Sequence, residues 1–520
     1  MAKVLDKLVS LENLSEEETV HNLKAILAQA TDIEINSSDI VRSLLKTGKN
    51  EIIKLTTEVI AEWAKIESNR KVMTNEEIIN ALLLLLENTD LDIVFNSIRS
   101  LGNICYENEE ACNIIDKIGI DSILMILKKD AERDDKSLTT KVAGLLVNLF
   151  TLHDGLPRTA LKNEIIPVLE QLLLKYYKPF DENQILLTFL LSVLNHLSDY
   201  FDEQNIPFTE HFCQIIVDIF KISTIPEISV MCLEIFHTHS EKDEIKTLLA
   251  KEGVCELLFD LIEKYRHQVN DEESRSVLKM ACDLIVIILT GGPLASRRIK
   301  LHDCMYILYD NGKGKVYINM TTWLDSDDSD LLSTGILAIG NFARKDVHCI
   351  QMVQSGISKK LITPTSVITL KNLVIPHQNK AQVLQEGLID GMYPMIKVDQ
   401  HLVVFKLLGT FRIVIDGQES AALDLISRVD LLERLIYWCY NSDHLGVRGE
   451  VPRLLCWLIK NCHSFKPFEN VLSVNGTVKC VVEMISSNHA VMQNEAFYGL
   501  NLLCIGCTDK NLEKLTEELH

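Results

Sequence analysis

The chain has 520 residues, of which 47% are hydrophobic and 6% aromatic, and it carries a formal net charge of −21. Only 11 Pro and 22 Gly occur, and Leu and Ile dominate the apolar residues, which favours packed helices over sheets. So acidic a chain is a poor nucleic-acid binder, and its length exceeds that of one ordinary globular core.

The N-terminal sequence and the apolar runs indicate a cytosolic protein. Residues 1–6 lack the apolar core of a signal peptide. The longest purely apolar runs, 81–86 and 284–289, are far shorter than the ~18 residues that a membrane-spanning helix needs. We therefore expect a soluble protein in the cytosol.

The 14 Cys are spread along the chain, mostly within apolar helical patterns, as at Cys105 and Cys282. This usage is typical of buried free thiols rather than of a disulfide framework. Cys504 and Cys507 form the one C-x-x-C motif, and it lacks a second pair, so no metal site is expected.

Residues 1–75 are predicted to form a helical cap and the first repeat. Ser15 and Glu18 have the spacing of a capping box, which starts a helix. Before it, one helix face would carry Leu5, Leu8, Leu11 and Leu14.

Residues 76–290 and 314–520 contain a helical unit that recurs about every 44 residues, a period typical of armadillo and HEAT arrays. The last helix of each unit carries one polar residue among apolar ones. This ladder of polar positions reads Glu62, Asn103, Asn148, Asn195, His237, Asp283, Asn341, Asn372, Arg412, Arg453 and Asn501. A glycine before an apolar helix, as at Gly119 and Gly356, favours the armadillo form. We therefore predict an all-α fold, a right-handed superhelical solenoid of about 10–11 armadillo repeats.

Two steps of the ladder depart from this period. The step from Asp283 to Asn341 is 58 residues long, and its excess lies in 291–313, which we predict to be an irregular loop or hinge. The step from Asn341 to Asn372 is only 31 residues, so a repeat is truncated near 358–372 or residues are absent there.

No enzyme motif is present: the sequence lacks a phosphate-binding loop, a dinucleotide fingerprint and a zinc-protease motif. We therefore expect no catalytic residues, no cofactor and no metal. The candidate site is the ladder, because the last helices of armadillo repeats line a concave groove. The amides of Asn103, Asn148, Asn195, Asn341 and Asn372 could bind a partner there, or each could join its own repeat to the next through backbone groups.

Acidic and apolar stretches offer further candidates. The run of Asp325, Asp327, Asp328 and Asp330 is either a solvated loop or a dock for a basic segment. Glu107, Glu109 and Glu110 form a similar candidate dock for a basic tail. Leu145, Leu146 and Leu149 belong either to the core or to a lipid-binding crevice.

Several strings resemble the SmgGDS family, the GDP dissociation stimulators of small GTPases. The resemblance covers most of the chain and is strongest after about residue 314. It is clearest in residues 336–344 (Ile-Leu-Ala-Ile-Gly-Asn-Phe-Ala-Arg), 405–412 (Phe-Lys-Leu-Leu-Gly-Thr-Phe-Arg) and 431–444 (Leu-Leu-Glu-Arg-Leu-Ile-Tyr-Trp-Cys-Tyr-Asn-Ser-Asp-His).

This resemblance implies an armadillo protein that binds Rho, Rap or Ras-type GTPases with a polybasic, prenylatable C-terminus. It implies stimulated GDP release, chaperoning between cytosol and membrane, and peripheral attachment at the endoplasmic reticulum or mitochondria through partners. The GTPase contacts would be Asn341, Phe342, Arg344, Asn372, Lys406, Arg412, Glu450 and Arg453. The prenyl pocket would lie among the N-terminal repeats, near Leu145, Leu146 and Leu149. The sequence departs from the family in two places. The step from Asn341 to Asn372 is short, and the sequence stops before the family's last repeat. Both departures leave the extent of the GTPase-binding surface open.

Two other readings stay open. A nuclear-import adaptor of the importin-α type would carry Trp four residues before each ladder Asn, and only Trp457 and Asn461 have that spacing. An armadillo scaffold or adaptor of the β-catenin class, without exchange activity, shares the expected fold but would suit an acidic peptide in a basic groove.

Overall fold

A computed structural model of the chain describes residues 15–28, 35, 38–133, 135–268, 271–290, 305, 307–363, 366–507, 512 and 515–516. Secondary structure in these residues is helical throughout, which confirms the predicted all-α class. The chain divides into two compact units, Met1–Glu252 (unit 1) and Gly253–His520 (unit 2). The predicted leucine face before Ser15 and most of the predicted loop 291–313 lie outside the described residues.

Unit 1 is built from helices of seven to 19 residues. They are α1 (Glu16–Leu27), α2 (Asp39–Leu45), α3 (Asn50–Trp63), α4 (Glu67–Met73), α5 (Glu76–Leu84), α6 (Leu91–Cys105), α7 (Glu109–Ile118), α8 (Asp121–Arg133), α9 (Lys136–Leu152), α10 (Gly155–Lys162), α11 (Ile165–Tyr176), α12 (Phe180–Ser198), α13 (Glu210–Ile222), α14 (Pro226–His239) and α15 (Asp243–Lys251).

Unit 2 continues the same pattern. Its helices are α16 (Val254–Tyr265), α17 (Glu272–Leu289), α18 (Lys315–Trp323), α19 (Ser329–Phe342), α20 (Asp346–Gln354), α21 (Ile357–Lys360), α22 (Val367–Leu373), α23 (His377–Gln385), α24 (Leu388–Met392), α25 (His401–Val414), α26 (Glu419–Ser427), α27 (Val429–Asn441), α28 (Leu445–Asn461), α29 (Phe468–Ser473), α30 (Thr477–Ile485) and α31 (Ala490–Gly506). Short 3₁₀ helices cover Leu85–Glu87, Asp310–Gly312 and Tyr393–Lys397.

Each regular repeat has three helices, and its third helix packs along the third helix of the next repeat in the same unit. In unit 1 this last-helix row is α1, α3, α6, α9, α12 and α14, and in unit 2 it is α17, α19, α22, α25, α28 and α31. A helix between two such neighbours must bury both flanks as well as its inner side. In α9, accordingly, Leu138, Val142, Leu145, Leu146 and Leu149 are all buried.

Local signals at helix ends agree with the sequence. Ser15 and Glu18 form the predicted capping box at the start of α1. Gly119 and Gly356, which the sequence analysis placed before apolar helices, have positive φ values of +111° and +80°, and Gly387 has one of +95° before α24. Between α10 and α11, Glu164 takes this position with a φ of +58°, so that repeat lacks the glycine signature.

The 31-residue step corresponds to a shortened repeat. It contains α20, α21 and α22, which have nine, four and seven residues, so all three helices are present but two are short. Helices α19 and α22 approach each other closely at Gly340. A Cβ atom on this residue would lie only 2.8 Å from the Thr369 Oγ1 atom. Glycine at this position therefore permits the packing of the shortened repeat.

The cysteines in the described residues are free, and most are buried. Burial raises the pKa of the Cys213 thiol to about 12 and that of Cys349 to about 11, which disfavours the reactive thiolate. None of the described helices combines the length and apolar character needed to cross a membrane.

Candidate functional site

The ladder asparagines of unit 1 connect adjacent last helices. The Asn103 side-chain amide donates to the Ala61 carbonyl oxygen at 2.7 Å, and that of Asn148 donates to the Gly102 carbonyl oxygen at 3.0 Å. The Asn195 amide instead donates to a carboxylate oxygen of Glu234 at 2.6 Å. The NH₂ groups of these three asparagines therefore form hydrogen bonds that join one repeat to the next. Their side chains are nevertheless half-exposed along the last-helix row.

The predicted apolar and acidic candidates of unit 1 differ in accessibility. Leu145, Leu146 and Leu149 are no more than 1% exposed, so they form part of the core between neighbouring helices. A prenyl group could reach them only if these helices separated. Glu107, Glu109 and Glu110 are exposed at the start of α7, where carboxylates also stabilise the helix N-terminus. Both the pocket and the tail dock stay predictions.

In unit 2, Asn341 and Arg344 lie at the C-terminal end of α19. The Arg344 guanidinium donates to the Asn341 side-chain oxygen at 2.5 Å, and the Asn341 amide lies 3.5 Å from the Thr290 hydroxyl. Phe342 is only 1% exposed and packs against Tyr309, with 5.7 Å between ring centroids. Asn341 and Arg344 are thus accessible to a partner, whereas Phe342 can act only by fixing their position.

Asn372 follows the pattern of unit 1. Its amide donates to the Gly340 carbonyl oxygen at 3.3 Å, one helix back along the row. Thr369, one turn earlier on α22, donates its hydroxyl to the Ile336 carbonyl oxygen at 2.9 Å. Two side-chain bonds therefore hold the short helix α22 against α19.

Arg412 and Arg453, which replace Asn in the ladder, belong to one ionic network. Glu450 accepts a short hydrogen bond from Arg412 Nε and another from Arg453 Nη1 at 3.1 Å. Arg453 also contacts both carboxylate oxygens of Glu495, at 2.7 and 3.0 Å, and the Trp457 indole NH donates to Glu495 at 2.9 Å. Because Glu450 is 5% exposed, it positions the two arginines rather than contacting a partner itself.

The electrostatics of this network favour its charged form. Burial alone would raise the pKa of Glu495, but hydrogen bonds from Arg453 and Trp457 outweigh it and hold that pKa below its usual range. The same contact with Glu495 raises the pKa of Arg453. The Arg453–Glu495 pair therefore stays ionised at neutral pH.

Lys371 and Lys406 lie beside this network on α22 and α25. Their ammonium groups are 5.7 and 5.6 Å from the centroid of the Phe405 ring. A Cβ atom on Gly409 would lie 3.3 Å from the Lys371 ammonium, so this glycine leaves room for the lysine against α25. Lys406 was among the predicted contacts, whereas Lys371 and Phe405 were not.

Sequence reasoning also missed Glu495 and singled out Trp457 only as a stray match to another class of protein. The available signal was spacing on α28, where Arg453, Trp457 and Asn461 follow each other at four-residue intervals and therefore share one face. Glu495 lies outside the ladder register, so no periodic signal marks it.

The acidic run before α19 has structural partners. Asp328 caps α19 and pairs with Arg275 at 2.5 Å, and the same arginine contacts Asp330. Asp325 pairs with Lys360. These contacts support the reading of the run as an interhelical loop. Within the described residues no group of three or more His, Cys, Asp or Glu side chains is arranged to hold a metal ion.

Comparison with known proteins identifies relatives over most of the chain. No family model matches it. It is 34% identical over 515 residues to "GTPase-GDP dissociation stimulator vimar" of Drosophila melanogaster, covering 89% of this chain and 79% of that protein. It is 32% identical over 487 residues to "Rap1 GTPase-GDP dissociation stimulator 1-B" of Xenopus laevis, covering 89% of this chain and 77% of that protein.

A solved chain from a study of a phosphorylation switch that controls the interaction between cadherin and β-catenin gives a TM-score of 0.69 at 10% identity. The match covers 96% of this chain and 100% of the other. This likeness concerns the fold alone, and it confirms the predicted all-α solenoid of armadillo repeats.

Proposed function

The chain belongs to the family of GTPase-GDP dissociation stimulators, and we propose that it binds small GTPases and accelerates their release of GDP. The observation that carries this proposal is the last-helix row of unit 2, where accessible polar side chains follow one another on contiguous helices. These are Asn341, Arg344, Asn372, Lys406, Arg412 and Arg453.

The row would act by binding, because nothing in the arrangement requires an acid, a base or a nucleophile. If the row binds the nucleotide-free GTPase more tightly than the GDP-bound form, GDP must bind less tightly in the complex. Each tenfold loss of GDP affinity requires about 1.4 kcal/mol of that preference. The hydrogen bonds around Glu450 and Glu495 support this role, since they preorganise Arg412 and Arg453, and a preorganised surface loses less free energy on binding.

We further propose the finer assignments that the family resemblance implies. The partners would be Rho, Rap or Ras-type GTPases, and their polybasic, prenylatable tails would dock on unit 1. The exposure of Glu107, Glu109 and Glu110 supports this docking. At physiological salt, charges attract each other over only about 8 Å, so a basic tail must be able to come close to the carboxylates that bind it. By shielding the prenyl group, the protein would chaperone GTPases between cytosol and membrane.

The decisive experiment measures release of a fluorescent GDP analogue from purified Rho, Rap and Ras proteins. We expect the wild-type chain to accelerate release and Asn341→Ala and Arg344→Ala to reduce the acceleration by tenfold or more. Asn441→Ala is a matched control, because the hydrogen bond that the structure shows for this exposed amide stays within its own helix, to the Tyr437 carbonyl oxygen. Equal acceleration by all variants would contradict the assignment of the row, and no acceleration by the wild type would contradict the exchange function.

Deleting the basic tail of the GTPase tests the finer proposal. Weaker binding of the tail-deleted GTPase would support a dock on unit 1, provided that Glu109→Lys weakens binding of the intact GTPase but has no further effect on the tail-deleted form. Unchanged binding to the tail-deleted GTPase would remove the tail from the recognition mechanism.

A further inference from the structure

Two cations on the last-helix row of unit 2 have no anionic partner among the residues that the structure describes. Lys371 and Lys406 are half-exposed, and neither forms an ion pair in the part of the chain that the structure describes. Both ammonium groups lie within 6 Å of the Phe405 ring centroid. Aromatic contact stabilises a cation only modestly and does not neutralise it.

The neighbouring arginines are different, because each already has a carboxylate. Arg412 pairs with Glu450, and Arg453 pairs with both Glu450 and Glu495. The two lysines, two arginines and two carboxylates therefore keep an excess of two positive charges. This excess lies on the surface of a chain whose net charge is −21.

The lysines raise one another's energy in the absence of a partner. Burial lowers the pKa of Lys371, and repulsion from the charges of Lys406, Arg412 and Arg453 lowers it further, against an opposing attraction from Glu450. An anionic group placed over Lys371 and Lys406 would relieve this repulsion. The cluster is therefore electrostatically incomplete in the isolated chain.

Exposed apolar side chains lie on the helices that carry the cluster or beside it in the chain. Ile368 is 52% exposed, Leu402 is 70% exposed and Leu445 is 80% exposed. Ile368 and Leu402 precede the two lysines by about one helical turn, and a Cβ atom on Gly446 would lie 3.2 Å from the Phe405 ring. Exposed aliphatic groups next to uncompensated cations match a protein surface that presents carboxylates among apolar side chains.

A phosphate group fits this surface less well. Phosphate is best held by the forked guanidinium of arginine, and both arginines here already contact carboxylates. Lysine acts as a point charge and is satisfied by a single carboxylate oxygen. The same charges would repel a polybasic tail.

From these observations we infer that Lys371, Lys406 and Phe405 form a docking surface for an acidic, partly apolar surface of the GTPase domain, distinct from its basic tail. This inference rests on the proposed function and adds to it the chemical character of the bound surface. It also assigns Lys371, which the sequence analysis did not mark, as a direct contact.

The test measures binding of the full-length chain to tail-deleted, nucleotide-free GTPases by titration calorimetry at two salt concentrations. We expect Lys371→Glu and Lys406→Glu each to weaken binding at least tenfold, and Lys371→Gln to weaken it less. Binding by the wild type should fall as salt rises, whereas the double glutamate variant should lose this dependence. Lys397→Glu is the matched control, because Lys397 is exposed on the 3₁₀ helix Tyr393–Lys397, which is not one of the last helices.

Thermal unfolding of each variant excludes general loss of structure, and the milder Lys371→Gln keeps the test valid if a glutamate variant unfolds. If the wild type binds the GTPase and both Lys371→Glu and Lys406→Glu bind it equally well, the inference is overturned while the proposed function stays intact. A competition experiment adds millimolar inorganic phosphate and compares it with chloride at the same ionic strength. Displacement of the GTPase by phosphate but not by chloride would overturn the assignment to carboxylates. If the wild type binds no GTPase, with or without its tail, the proposed function fails and the inference falls with it.

Discussion

Replacing Glu495 with Gln should destabilise unit 2 by about 2–3 kcal/mol. Glu495 accepts two hydrogen bonds from Arg453 and one from the Trp457 indole, and the side chains of Arg453 and Glu495 are only 21% and 15% exposed. Hydrogen bonds to charged groups contribute about 1.5–3 kcal/mol, and breaking a buried ion pair costs about 3–5 kcal/mol. Because Glu450 still compensates Arg453 at 3.1 Å, we expect a value below that upper range.

Urea denaturation of the full chain at pH 7 measures this change. Glu433→Gln is the matched control, since Glu433 is exposed on α27 and its replacement should alter the free energy of unfolding by less than about 0.5 kcal/mol. A double-mutant cycle with Arg453→Met should give a coupling energy of about 1 kcal/mol or more. Because the pKa of Glu495 is held low in the fold, its stabilisation is present above the unfolded value of about 4.3 and is lost as pH falls through the folded pKa.

The reasoning would be refuted if Glu495→Gln matched the Glu433 control, or if the coupling energy were close to zero. Either result would mean that the arginine is held by packing and by Glu450 alone.

Three further predictions concern unit 1. Burial raises the pKa of the Asp130 carboxyl to about 7, so between about pH 4 and 7 the folded chain keeps a proton that the unfolded chain has lost. The free energy of unfolding should therefore fall as pH rises through this range, by up to about 1.4 kcal/mol per pH unit. Asp130→Asn should flatten that slope in urea unfolding, and an unchanged slope would contradict the assignment. Burial lowers the pKa of His239 to about 4, and its ring stacks on that of Phe208 with 4.1 Å between the ring centroids. The free energy of unfolding should therefore fall as pH drops from about 6.5 to 4, because the unfolded chain gains a proton first. His239→Phe should remove this loss in the same titration. Asn148→Ala should lower the free energy of unfolding by about 0.5–1.5 kcal/mol, because the Gly102 carbonyl loses its donor, and a change no larger than that of Asn441→Ala would refute the repeat-joining role.

Much of the fold was predictable because its signals are local. The capping box at Ser15 and the left-handed glycines at Gly356 and Gly387 depend only on residues a few positions apart. The repeat period of about 44 residues follows from apolar spacing, which any helix in such an array must satisfy. The glycine signal is absent from the repeat that the ladder marks at Asn195, because Glu164 adopts the glycine conformation there.

The candidate site was predictable only in part. The ladder correctly marked positions on the last helices, since one residue per repeat keeps the same place on successive helices. The contacts implied by the family resemblance did not separate exposed from buried residues: Phe342 and Glu450 are buried because neighbouring helices cover both flanks of α19 and α28. The ladder marked neither Glu495 nor Lys371, whose importance arises from a neighbouring helix.

The sequence by itself thus determined the helical class, the repeat period, the helix ends and the family resemblance, because each depends on residues close together or on strings of consecutive residues. Only the tertiary structure decided which charges meet across helices. Glu450 and Glu495 compensate Arg412 and Arg453, whereas Lys371 and Lys406 form no ion pair with any residue that the structure describes. The physical reason is that a pair between helices depends on how far one helix is shifted and rotated against the next. Side-chain packing along the whole interface sets that offset, and no periodicity within a single helix records it.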